Sequence, residues 1–208
     1  ISMRFLPALA AALMLSACID ADVTMDFSDG ETMQGGVEMT LARELFDMKS
    51  LSPAAACPGG EGVLTKTDFA CRTHGETPIA KLLEEGAAET AQNDFDPSAA
   101  AKFERVDDNT IRVSFDFTEM ASKGQKTGQQ DMGGMEDLIS AAMAGHSFSF
   151  HIKGYKIVST TGTLSEDGTE ASLVIPVSAF LDESPDLGPP FVTEVQLKRH
   201  CTFFIFCD

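Results

Sequence analysis

Ala101-Lys-Phe-Glu-Arg-Val106, Asp107-Asp108-Asn109-Thr110 and Ile111-Arg-Val-Ser-Phe-Asp-Phe117 make up the stretch on which the fold is decided. Ile111, Val113, Phe115 and Phe117 alternate with Arg112, Ser114 and Asp116, the period that puts successive side chains on opposite faces of a strand. The acidic, Asn-containing segment before them has the composition of a turn, so the stretch predicts an antiparallel hairpin. Four large apolar side chains on one strand face need a cover, since exposing each to water forfeits about 1.5–3 kcal/mol.

C-terminal to the hairpin, residues 120–134 are polar and glycine-rich and read as a loop. Met135, Leu138, Ile139 and Met143 then have helical spacing, and Gly145 stops that helix. Phe148, Phe150 and Ile152 alternate with Ser147, Ser149, His151 and Lys153, Gly154 permits a bulge or bend, and the strand resumes through Tyr155 and Ile157. A turn at Ser165-Glu-Asp-Gly168 leads to an antiparallel return through Leu173, Ile175 and Val177. Phe191, Thr193, Val195 and Leu197 make a last strand, followed by the apolar tail Phe203-Phe-Ile-Phe206.

On the N-terminal side, Ala21, Val23, Met25 and Phe27 alternate with Asp20, Asp22, Thr24 and Asp26, and Val37, Met39 and Leu41 complete a first hairpin. Leu41, Leu45, Phe46 and Met48 predict a short helix, and residues 53–75 an ordered loop with at most one short turn. Thr77-Pro78 starts a further helix with Ile79, Leu82, Leu83 and Ala87 as its buried stripe, proline occupying the first helical position. The sum is an α+β fold, a mostly antiparallel sheet with two or three helices packed on one face.

The first residues place the chain. Arg4, an apolar run of about ten residues and small residues before Cys18 have the layout of an export signal, and the run is too short to span a bilayer, which takes roughly 20. Leu15-Ser16-Ala17-Cys18 resembles the lipobox of bacterial lipoproteins, which makes residues 1–17 a signal peptide and Cys18 the site of lipid attachment. An ordinary secretory signal with an incidental cysteine is the alternative. Residues 18–208 are expected to form a single envelope domain anchored through Cys18. The strand beginning near Asp20 leaves no room for a linker, so the domain should sit close to the membrane.

The formal charge of −17, with 32 acidic residues against 15 Lys and Arg, repels polyanions and excludes nucleic acid as the expected partner. With Cys18 set aside, four of the five cysteines remain, an even number that in an oxidising compartment predicts two disulfides. Cys57 and Cys71 bracket the flexible Pro-Gly-Gly-Glu-Gly and are the favoured pair. Cys201 and Cys207 flank an extended run about 20 Å long and reach each other only if the chain turns between them. Otherwise they cross to Cys57 and Cys71.

Signatures of catalysis are absent from the sequence: no G-x-S-x-G, G-x-G-x-x-G, phosphate-binding loop or H-E-x-x-H occurs. His74, His146, His151 and His200 are scattered, and His146 and His151 should point to opposite faces of a strand. Asp26, Asp29 and Glu31 lack the ligand spacing of a calcium loop, and Met135 and Met143 suit an apolar stripe better than copper. No metal, cofactor or enzymatic activity is expected. A compact cleft gathering His151 with carboxylates would revive an enzyme. Methionine adapts to partners of variable shape, so the Met135–Met143 helix over the sheet defines a candidate apolar ligand face: Phe115, Phe117, Met135, Leu138, Ile139, Met143, Phe148 and Phe150.

The order of segments resembles a known family, the LppM-domain lipoproteins of bacteria. The resemblance is carried by Cys18-Ile-Asp-Ala-Asp-Val-Thr-Met-Asp-Phe27, Gly35-Gly-Val-Glu-Met39, Phe103 through Phe117, and Phe148-Ser-Phe-His-Ile-Lys-Gly-Tyr-Lys-Ile-Val-Ser-Thr160 onward through Leu173. The family's Pro-Gly pair is here Lys153-Gly154, and its tryptophan is missing. The resemblance implies a membrane-tethered α+β envelope domain, with lipid or glycolipid binding in some members and no catalytic residues. The expectation is thus a non-enzymatic lipoprotein binding a lipid or other apolar ligand, or alternatively a module holding an envelope protein partner at the membrane. Ile19 after the lipidated cysteine is not the aspartate that retains lipoproteins in the inner membrane of enteric bacteria. Outer membrane facing the periplasm is therefore the expected location.

Overall fold

The computed structural model describes residues 19–48, 52–85, 101–118, 143, 145–180 and 187–198. The strands are β1 (Ile19–Asp26), β2 (Thr32–Ala42), β3 (Glu61–Leu64), β4 (Asp68–Pro78), β5 (Ala101–Asp107), β6 (Thr110–Phe115), β7 (Ser147–Lys153), β8 (Lys156–Thr160), β9 (Thr163–Leu164), β10 (Glu170–Pro176) and β11 (Phe191–Gln196). Three short helices accompany them: α1 (Arg43–Met48), α2 (Pro53–Ala56) and α3 (Ile79–Glu85). Seven strands form one sheet in the order β3-β4-β2-β1-β7-β10-β9, and four form a second in the order β5-β6-β11-β8. Every pairing is antiparallel except β1 with β7.

This corrects the α+β expectation. The apolar face of the 101–117 hairpin is covered by a second sheet, and the described helices span only seven, six and four residues. Val23, Met25 and Phe27 on one side meet Phe103, Ile111, Val113, Phe115 and Phe117 on the other in one continuous core. The helical periodicity was real but local: α3 adds Ile79 and Leu82 to that core as a plug at its margin. Residues 53–75 are not a loop, because β4 runs eleven residues antiparallel to β2, from Thr32 opposite Pro78 to Ala42 opposite Asp68. Its inward positions begin with Phe69 and Cys71 but continue through Thr73 and Gly75, so the alternation lacks large apolar residues.

The chain passes between the sheets twice around β8, each time at a glycine packed against β11. A Cβ on Gly154 would stand 2.1 Å from Val195 Cγ1, and one on Gly162 would stand 2.5 Å from both the Phe191 ring and the Ser172 carbonyl. No other residue fits without displacing β11. The predicted bulge at Gly154 is therefore a crossing, and β8 belongs to the other sheet.

A smaller cluster lies under α1 and α2. Phe46 stacks on Phe69 with ring centroids 4.4 Å apart, and the Cys57–Cys71 disulfide closes beside them with a Cα separation of 5.5 Å. Ser52 caps α2, its hydroxyl accepting from the Ala55 amide.

Candidate functional site

The residues of the candidate apolar face go to different places. Phe115, Phe117 and Phe150 are buried and fill the space between the sheets, Phe117 lying 4.7 Å and Phe115 5.4 Å from the Phe150 ring centroid. Phe191 extends the stack, 6.2 Å from Phe115. Phe148 packs at the core's edge, its ring meeting Phe180 edge-on at 5.3 Å, and Met143 is half-buried. Met135, Leu138 and Ile139 lie outside the described residues, as do Cys18, Cys201, Cys207, His200 and Phe203 to Phe206. Phe115, Phe117 and Phe150 are thus core, their rings packing on one another.

The outer face of the seven-stranded sheet is polar and concave. Register aligns Asp22 with Glu38 and Arg72, Thr24 with Gly36 and His74, and Asp26 with Gln34 and Glu76, across β1, β2 and β4. Gly36 leaves the middle row low, and the bare backbone of Gly35 and Gly75 beside it forms the floor of a trough of about 630 Å³. Asp22, Asp26, Glu38 and Glu76 line it with acceptors, and His74 stands over Gly36, where a Cβ would reach 3.4 Å from Nδ1. Arg72 partly offsets the charge through Glu38, 3.2 Å away.

Beside the trough the parallel β1–β7 register sets His151 opposite Thr24. Its Nε2 lies 3.2 Å from Asp22, its Nδ1 2.6 Å from Glu170, and Lys153 reaches the same glutamate at 3.7 Å. His151 stands out in the sequence but its carboxylate partners do not, because Glu170 and Asp22 lie 19 and 129 residues away and meet it only through sheet register. It occupies an open sheet face, with a carboxylate beside each ring nitrogen. Among the described residues no group of three His, Cys, Asp or Glu side chains is placed to hold a metal ion.

At the start of β1, Asp20 clamps two strands together. One carboxylate oxygen accepts from the Ser147 amide at 3.0 Å and the other lies 2.9 Å from Nδ1 of buried His146. His146 precedes β7 while His151 lies on its outer face, so the two histidines do not share a site. On the four-stranded sheet, Arg112 bridges Glu104 and Glu194 across β5, β6 and β11 at 3.4 and 2.7 Å. Hydrogen bonding from Arg112 holds the Glu194 carboxyl below its ordinary range.

No family model matches the chain, and no curated protein matches it. Among solved structures it is similar to the folded domain of LppM from Mycobacterium tuberculosis, determined by NMR. The two share 9% identity over 88% of this chain and 92% of that one, with a TM-score of 0.47. That structure belongs to the family the sequence resembles.

Proposed function

We propose that the chain is a lipid-anchored lipoprotein of the bacterial envelope whose β domain is a binding module and not an enzyme. The observation that carries this is the junction at Cys18. The lipobox-like Leu15-Ser16-Ala17-Cys18 is followed directly by β1, the middle strand of the larger sheet, which begins at Ile19. An acyl chain on Cys18 would hold the domain against a bilayer with no intervening linker.

A protein partner held at the membrane is favoured over an apolar ligand, because the described rings fill the space between the sheets while the polar outer face stands open. A lipid or glycolipid ligand is the second reading, on the resemblance to the LppM-domain lipoproteins. Ile19 following the anchor favours the outer membrane, periplasmic side. Asp20, the acid one residue later, has structural work in the clamp to Ser147 and His146.

The test is the N-terminal peptide of the membrane-extracted protein. Diacylglyceryl mass on Cys18, and release of Cys18→Ser into the soluble fraction, support the anchor; an unmodified Cys18 refutes it. Crosslinking in cells that returns only the lipoprotein would refute the partner, and co-purified lipid in native mass spectrometry would favour the apolar ligand instead.

A further inference from the structure

We propose that the end of the seven-stranded sheet nearest Cys18 is a membrane-contact surface that rests on phospholipid headgroups and holds the outer-face trough sideways above the bilayer. The proposal rests on the lipid anchor at Cys18 and adds an orientation to it. Pairings define that end: Ile19 stands opposite Leu41, Leu41 opposite Phe69, and Phe69 opposite Leu64, and Leu41, Phe69 and Leu64 of this row pack into the small core under α1 and α2. Beyond it lie α1 and the Thr65–Thr67 turn between β3 and β4. Arg43 ties these together, donating to Asp47 and to the Thr65 carbonyl, each at 2.9 Å.

One observation selects this end. The tether has no length: with β1 starting at Ile19, an acyl group on Cys18 cannot let another face of the domain reach the bilayer. From Ile19 to Asp26 the strand climbs about 23 Å, which puts Asp22, Thr24 and Asp26 of the trough roughly 10–23 Å above the anchor.

The chain contains no tryptophan, so one introduced tryptophan reports alone. The full-length acylated protein is reconstituted into phosphatidylethanolamine–phosphatidylglycerol vesicles carrying a dansylated headgroup. Energy transfer is compared between Lys66→Trp, at the anchored end, and Ser28→Trp, at the opposite one. Transfer several-fold stronger from Lys66→Trp is expected, with Glu44→Trp in α1 as a second probe of the same end. Equal transfer, or stronger transfer from Ser28→Trp, in acylated protein overturns the orientation and leaves the anchor standing. Unmodified Cys18 with no vesicle association overturns both.

Discussion

Replacing Gly154 by alanine tests whether the passage between the sheets depends on one missing methyl group. The added Cβ would sit 2.1 Å from Val195 Cγ1, far inside the 3.5–4.0 Å of a carbon–carbon contact, while the next atoms, Gln196 O and Val195 Cβ, stand at 3.5 and 3.6 Å. The backbone cannot easily retreat, because the Gly154 amide donates to the Thr169 carbonyl at 3.0 Å. Overpacking of this kind costs about 1–3 kcal/mol, and the stiffer unfolded chain returns about 0.4–1. A net loss of about 1–2 kcal/mol is expected, lowering Tm by about 2–4 °C per kcal/mol in a domain of this size. Val195→Ala removes the offending methyl at its own cost of about 1–3 kcal/mol, from a side chain with no exposure. Since the new Cβ then fills the space that Cγ1 left, the double variant should be no less stable than Val195→Ala alone. Urea unfolding of the four proteins with the disulfide intact measures the coupling. Costs that add to within about 0.5 kcal/mol would refute the steric account.

Acid should unfold the domain through its turns. Hydrogen bonds from Thr32 to Asp29, from Asn109 to Asp107, from Ser165 to Asp167 and from Arg112 to Glu194 each hold the native carboxyl below its ordinary range. Their stabilisation is complete above the unfolded pKa and is lost as pH falls through about 4 toward the lowered native values. Melts below that pH should show Asp29→Asn and Asp167→Asn flattening the decline; unchanged slopes would contradict it. Removing the disulfide as Cys57→Ala with Cys71→Ala, across a separation of 14 residues, should cost about 3 kcal/mol of unfolding free energy, read as a lowered urea midpoint. Asp20→Ala should cost about 1–2 kcal/mol and speed exchange of the Ser147 amide, while Asp22→Ala should leave that amide unaffected.

The hairpin at 101–117 and the strands through Phe27, Phe150 and Phe191 are legible because each puts large apolar residues on every second position. β4 is not, since it owes its place to an eleven-residue ladder with β2, and inward positions such as Thr73 and Gly75 give no hydrophobic signal. The second sheet was hidden in Gly154: a glycine that permits a bend is indistinguishable in sequence from one that two sheets press upon. Cys57 and Cys71 were paired from the flexible segment between them. The grouping of Asp22, His151 and Glu170 was beyond reach, because it follows from a parallel register between strands more than a hundred residues apart.

That parallel partnership also sets an order of events. In a chain delivered amino-terminus first, β1 can zip to β2 within moments, but its other edge waits until residue 147 has emerged. β8 of the smaller sheet waits in turn for β11, which emerges only after β9 and β10 of the larger sheet are complete. Contacts this distant in sequence make for folding in milliseconds to seconds. Meanwhile the middle strand of the larger sheet stays half-paired, a window in which a chaperone would find it.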